Sequence, residues 1–110
     1  MVLVRRLTLT SGTGTSSVDV TFSDPVSRGT SWVCSYRIDW PGFPATSEIG
    51  GADGPHALYL AMQAVALSLY ASPYHKAGQL SWRTPGQGYG FPIPRAARGD
   101  LVGYDRDEQL

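Results

Sequence analysis

The stretch Trp32-Val33-Cys34-Ser35-Tyr36-Arg37-Ile38-Asp39-Trp40 decides the fold. Successive side chains on a strand point to opposite faces, so Trp32, Cys34, Tyr36, Ile38 and Trp40 share one face. Val33, Ser35, Arg37 and Asp39 share the other, which is mostly polar. A large aromatic face backed by a polar one is the pattern of an antiparallel sheet covered on one side. Pro41 and Gly42 end the run, because proline brings no N–H to a ladder and glycine favours a turn.

The same alternation extends toward the amino terminus. Over residues 2–10, Leu3, Leu7 and Leu9 share a face with Arg5, while Val2, Val4, Arg6, Thr8 and Thr10 share the other. Residues 11–17 are all Ser, Thr or Gly and read as a loop. Val18, Val20 and Phe22 then alternate with Asp19 and Thr21 as a second half-buried strand. Asp24-Pro25 and Arg28-Gly29 mark the connection to the Trp32 strand, and three such strands in succession suggest an antiparallel meander.

Beyond Pro44 the character changes. Residues 47–51 suit a short fourth strand. Asp53 is placed to cap a helix, with Pro55 where a missing amide costs nothing. The helix is expected over residues 54–71. Leu58, Ala61, Met62, Val65 and Leu69 form the stripe that should lie on the sheet. Leu60, Ala64, Leu67 and Ala71 form a second apolar stripe, and no charged residue stands between Asp53 and Lys76. A helix apolar on two sides needs a second cover, supplied either by the carboxyl-terminal segment or by another copy of the chain. Alanines, Ser68, Gln63 and two tyrosines leave it too mildly hydrophobic for a membrane span. Pro73 should end the helix, residues 79–83 suit another short strand, and Gly86, Gly88 and Gly90 precede a stiff Pro92 and Pro94 path.

Together these readings give an α+β class: an antiparallel sheet of about four to five strands with one main helix packed on one face. The 110 residues, 42% hydrophobic, are expected to form a single domain over residues 1–110, with 1–10 and 99–110 fraying. Nine basic residues balance nine acidic ones, and residues 57–71 hold no lysine, so a nucleic-acid partner is not expected. One cysteine cannot form an intramolecular disulfide, and the apolar run Val2-Leu3-Val4 is far too short for a signal sequence. A cytoplasmic protein without a membrane partner is expected.

Three motifs carry a resemblance across most of the chain: Trp32-x-Cys34-x-Tyr36-x-Ile38-x-Trp40-Pro41, Leu69-Tyr70-Ala71-Ser72-Pro73-Tyr74-His75-Lys76-Ala77-Gly78, and Gly88-Tyr89-Gly90-Phe91-Pro92. The chain resembles a family of small bacterial proteins classed as a domain of unknown function. The resemblance implies a bacterial, intracellular setting, and it transfers no activity, substrate or catalytic residue.

Candidate chemistry is sparse. His56 and His75 stand at opposite ends of a helix roughly 27 Å long, too far apart to share an ion in one subunit. No metal, cofactor or catalytic residue is therefore assigned. Cys34, on the aromatic face, is expected to pack as a small hydrophobe. The Gly86-x-Gly-x-Gly spacing opens no helix and so does not read as a phosphate loop. His75, between Tyr74 and Lys76, is the one residue suited by its ordinary pKa to acid–base work. A pocket formed by Tyr74, His75, Lys76, Trp82 and Tyr89 would make this a small-ligand or enzymatic domain, with Arg83 or Arg95 available to an anion. The favoured reading is a non-catalytic interaction module that pairs with itself as a homodimer, or with another protein, through Leu60, Ala64 and Leu67.

Overall fold

The alternating residues at the amino terminus make a longer hairpin than their composition suggests. The computed structural model describes residues 2–94 and residue 102. In it β1 (Leu3–Ser11) and β2 (Gly14–Phe22) pair antiparallel from Leu3↔Phe22 to Ser11↔Gly14. Only Gly12 and Thr13 remain to turn, so most of the expected loop over 11–17 is strand. Thr10 opposite Thr15 and Thr8 opposite Ser17 explain this, since hydroxyl and β-branched cross-strand pairs stabilise a ladder without apolar residues. Residues 1–10, expected to fray, hold most of β1.

β3 (Val26–Arg28) and β4 (Ser31–Ile38) form a second tight hairpin. β2 and β3 lie along the same edge of β4, the first against Tyr36 to Ile38 and the second against Ser31 to Val33. Between them residues 23–25 face only Cys34 and Ser35, so one residue bulges out. Pro25, which has no N–H to give, sits in that bulge. Ser23 closes it: its amide donates to Ser35 O at 3.0 Å and its Oγ accepts from Ser35 N at 3.1 Å. β3 carried no signal in the sequence because all three of its residues are exposed.

β5 (Ala45–Gly51) pairs with the other edge of β4, the helix α1 (Gly54–Ala71) follows, then the single turn α2 (Pro73–Lys76), and β6 (Leu80–Ser81) joins the free edge of β1. Across the sheet the order is β5, β4, β2 with β3, β1, β6. This corrects the expected α+β sheet of four to five strands with one main helix. The described residues form six antiparallel strands, strand residues outnumber helical ones, and helix is confined to the 18 residues of α1 and the four of α2. The miscount has a physical source, because the three exposed residues of β3 are too few to show a period, whereas β6 falls within the short strand expected over 79–83.

Every buried strand residue points to one face: Leu7 and Leu9 from β1, Val18, Val20 and Phe22 from β2, Cys34 and Ile38 from β4, and Leu80 from β6 beside Leu9. α1 covers the β4–β5 half of that face with Ala57, Ala61, Val65 and Leu69, spaced four apart, and Ala66. Leu58 and Met62, expected in the central stripe, flank it half-buried. Gly51 explains the rotation: a Cβ there would lie 2.4 Å from Ala57 N, so the helix start approaches β5 too closely for anything larger than alanine beneath it. The larger Val65 and Leu69 are fully buried further along the helix.

The β1–β2 half of the face is covered by the segment after β6. Tyr89, Phe91 and Ile93 are buried, and Phe91 meets Phe22 edge-on at 5.8 Å. Arg5, the one charge on the apolar face, fastens this segment. Its guanidinium lies 4.0 Å from the Trp82 ring and 4.5 Å from Phe91, and donates to Tyr89 O and Gly90 O at 3.0 and 3.1 Å. The carboxyl-terminal segment thus fills the core, while Leu67 on the outer side of α1 stays 44% exposed. Of residues 99–110, expected to fray, only Val102 lies among the described residues.

Candidate functional site

The Ser72-Pro73 pair builds the most chemically distinctive cluster. Ser72 ends α1 and caps α2 at once: its buried Oγ donates to Leu69 O at 2.8 Å and accepts from His75 N at 3.1 Å. Pro73 takes the first helical position, where its missing amide costs nothing. Gly78 N then donates to His75 O, and Gln79 N to Tyr74 O, steering the chain into β6. This one-turn helix folds His75 back beside Tyr70, with their ring centres 4.6 Å apart.

Tyr89 completes the cluster from the segment after β6. Its hydroxyl lies 2.5 Å from His75 Nδ1, its ring is 5.4 Å from Tyr70, and Leu80 O stands further off at 3.4 Å. Burial lowers the His75 pKa below its ordinary value, so the ring is neutral at pH 7. The tautomer sets the direction of this bond: with the ring proton on Nδ1 the imidazole donates and the Tyr89 O–H is left for Leu80 O, and with the proton on Nε2 the hydroxyl donates to the ring. Among the described residues Nε2 has no hydrogen-bond partner. A cavity of about 280 Å³ lies beside the ring, lined by His75, Gly78, Leu80, Gly86, Gly88, Tyr89 and Val102.

The five residues expected to share a pocket do not converge. His75 and Tyr89 meet at this cavity. Tyr74 turns away and stacks on Trp40 at 5.2 Å, lining a separate groove of about 410 Å³ with Pro41, Phe43 and Pro73. Lys76 is exposed at the end of α2, and Trp82 packs on Arg5. Arg83 lies 5.6 Å over the Trp82 ring, and Arg95 lies outside the described residues. Tyr70, which the sequence did not single out as a site residue, belongs to the His75 cluster. The signal that could have placed it is the same Ser72-Pro73 pair, which breaks the helix and folds its flanks together.

The other candidates have local structural roles. His56 Nδ1 accepts from Ala52 N at 2.9 Å, beside the Asp53 cap that accepts from His56 N at 2.8 Å. The Cys34 thiol is buried within 3.5 Å of Ser23 O, and burial together with the nearby Asp24 carboxylate raises its pKa, which suppresses the nucleophilic thiolate. Among the described residues no three His, Cys, Asp or Glu side chains gather as metal ligands, and no helix is long and apolar enough to cross a membrane. On the expected interface stripe Leu60 and Ala64 are half-buried and Leu67 is exposed.

An antiparallel sheet covered half by a helix and half by a glycine- and proline-rich strap defines a small sheet-and-helix domain. The chain matches the family described as Domain of unknown function (DUF6968) over residues 3–93, and it belongs to that family. No curated protein and no solved structure matches it.

Proposed function

We propose that this chain is a non-catalytic, cytoplasmic interaction module that pairs with a second copy of itself through the outer face of α1. The observation that carries the reading is one continuous uncharged surface. Leu67 is 44% exposed, Ala64 and Leu60 follow it along the helix, and Ser68 and Ala71 lead into the groove flanked by Phe43, which is 75% exposed. Contiguous apolar surface of this kind marks interfaces on soluble domains.

A second copy fits for an electrostatic reason. Twofold pairing buries the same surface on both copies, so a charge there is desolvated twice and, near the axis, meets its like. Between Asp53 and Lys76 there is none, and the chain as a whole has a formal net charge of zero. Self-association therefore meets no like-charge penalty at the interface and little repulsion at long range. The small side chains of Ala64, Ser68 and Ala71 also let two helices approach closely.

Sedimentation equilibrium at micromolar concentration tests this. The wild type should sediment as a dimer, and Leu67→Glu, which puts a carboxylate into the apolar face of each copy, should be a folded monomer. A wild type that remains monomeric at 100 times that concentration would overturn the proposal.

A further inference from the structure

We infer that the free edge of β5 is a strand-pairing surface whose partner is β5 of a second copy, antiparallel and in a register centred on Ser47. This rests on the pairing through α1 and gives that dimer its backbone contact. The hydrogen bonds of β4 show which groups of β5 are available. Asp39 N donates to Asp19 O at 2.9 Å and Ser23 N to Ser35 O at 3.0 Å, so Ser35, Arg37 and Asp39 turn their backbone groups toward β2. Cys34, Tyr36 and Ile38 turn theirs toward β5, where they meet Ile49, Ser47 and Ala45. The N–H and C=O groups of Thr46, Glu48 and Gly50 therefore point off the edge. All three residues are exposed, and among the described residues these backbone groups have no partner. Edges are ordinarily blunted by proline, a bulge or several charges. β5 pairs with β4 along its whole length without a bulge, and its one charge, Glu48, is already held by Arg28 at 2.9 Å.

Position and charge select a second copy as the occupant. α1 lies on β4 and β5, and its Met62 and Tyr70 flank faces Phe91 and Tyr89 of the strap. Leu60, Ala64 and Ser68 are on the opposite flank, on the side of the β5 edge. A twofold axis beside β5 thus brings two uncharged helix flanks together along with the two strands. The register follows from what would face Glu48. Only outward-pointing residues exchange bonds, so the axis falls on Thr46, Ser47, Glu48 or Ile49. On Glu48 it sets two carboxylates directly opposite, which is destabilising. On Thr46 it sets Glu48 opposite Pro44, which has no N–H to return. On Ile49 it sets Glu48 opposite Gly50, which has no side chain to pair, and draws on an isoleucine already packed against its own core. On Ser47 each Glu48 carboxylate lies opposite a Thr46 hydroxyl that can donate to it, and the outward amides of both residues find carbonyls. Each copy uses up the same edge, so the assembly closes at two chains.

Amide exchange and cross-linking on the full chain test this. Where the wild type is dimeric, the Thr46 and Glu48 amides should exchange about tenfold or more slowly than in the Leu67→Glu monomer, while Ser47, bonded to β4 in both, should not change. Ser47→Cys should form an intermolecular disulfide on mild oxidation, because residues of a non-hydrogen-bonded antiparallel pair have Cα atoms about 4.5 Å apart. The wild type, whose single cysteine is buried, should form none. Thr46→Pro removes an N–H that β4 does not use, so it should fold and fail to dimerise. A dimer whose Thr46 and Glu48 amides exchange as fast as in the monomer, and whose Ser47→Cys form does not cross-link, would overturn the strand pairing and leave the α1 pairing standing. A dimer that survives Leu67→Glu and still forms the Ser47→Cys bridge would do the reverse. A monomeric wild type would overturn both.

Discussion

Phe91→Ala tests whether the segment after β6 is part of the folded core. The Phe91 ring is 3% exposed, meets Phe22 edge-on at 5.8 Å and lies 4.5 Å from the Arg5 guanidinium. Truncating a buried phenylalanine costs about 3–5 kcal/mol, part of it from the cavity left behind. Here the ring hangs from a segment outside helix and strand, which can relax toward the gap, so the expected loss is near 3 kcal/mol. Domains of this size are stable by roughly 5–15 kcal/mol, which makes that loss a large fraction of the total. Urea unfolding followed by tryptophan fluorescence should move the midpoint down by about 1–3 M at an unchanged slope. Arg5→Met keeps the aliphatic stem between the rings but removes two hydrogen bonds and the cation, so it should cost less, about 1–3 kcal/mol. A Phe91→Ala loss below about 1 kcal/mol, well under the large-to-small range, with amide shifts of residues 86–94 unchanged, would refute the packing described.

Leu69→Ala, at a fully buried position, should lose about 2–5 kcal/mol in the same assay, and Val65→Asp should abolish cooperative unfolding. Ser72→Ala removes the Leu69 O bond and the α2 cap together; about 1–2 kcal/mol should go, and the His75 ring shifts should move with it. Gly51→Ala should cost about 1–3 kcal/mol, because the added methyl would fall 2.4 Å from Ala57 N and the helix start must move; a melting temperature equal to wild type would contradict the close approach. Burial lowers the folded-state pKa of His75, so the unfolded chain binds the proton first as pH falls. This penalty is absent above the unfolded pKa near 6.5, grows below it and is complete once the folded state titrates; melting at pH 7.5 and 5.5 should show a smaller acid loss in His75→Gln than in wild type.

What the sequence disclosed follows the strength of its periods. Trp32 to Ile38 and Val18 to Phe22 alternate without interruption, and both strands could be read from that alone. α1 carried a cap at Asp53 and a proline on each flank, and its bounds were legible for the same reason. β3, of three exposed residues, is held by its neighbour β4 rather than by any pattern of its own, while β6 keeps two residues of the strand expected over 79–83. The Ser/Thr hairpin over 11–17 misled because hydroxyl residues serve loops and ladders alike, and pairing decides between them. The site was half legible. His75 stood out by its chemistry, but which aromatic rings meet it depends on how Ser72 and Pro73 turn the chain, and the side chains of Tyr74 and His75 part company within one helical turn.

Arg5 joins the fold to the candidate site. On sequence pattern it is a fault, a charge among Leu3, Leu7 and Leu9 on the covered face. In the structure that charge is solvated by the faces of Trp82 and Phe91 and by two carbonyls, so its burial is compensated by the segment it holds. One of those carbonyls belongs to Tyr89, whose hydroxyl orients His75. Gly90 must be glycine for the same arrangement, since its φ is +75° and a Cβ would fall 2.2 Å from Trp82 Cζ3. Arg5, Trp82 and Gly90 therefore fix the path of the backbone at Tyr89 without touching the cavity. A substitution at Arg5 should disturb the His75–Tyr89 contact from the far side of the strap, and the position of a hydroxyl beside an imidazole becomes a consequence of one guanidinium on β1.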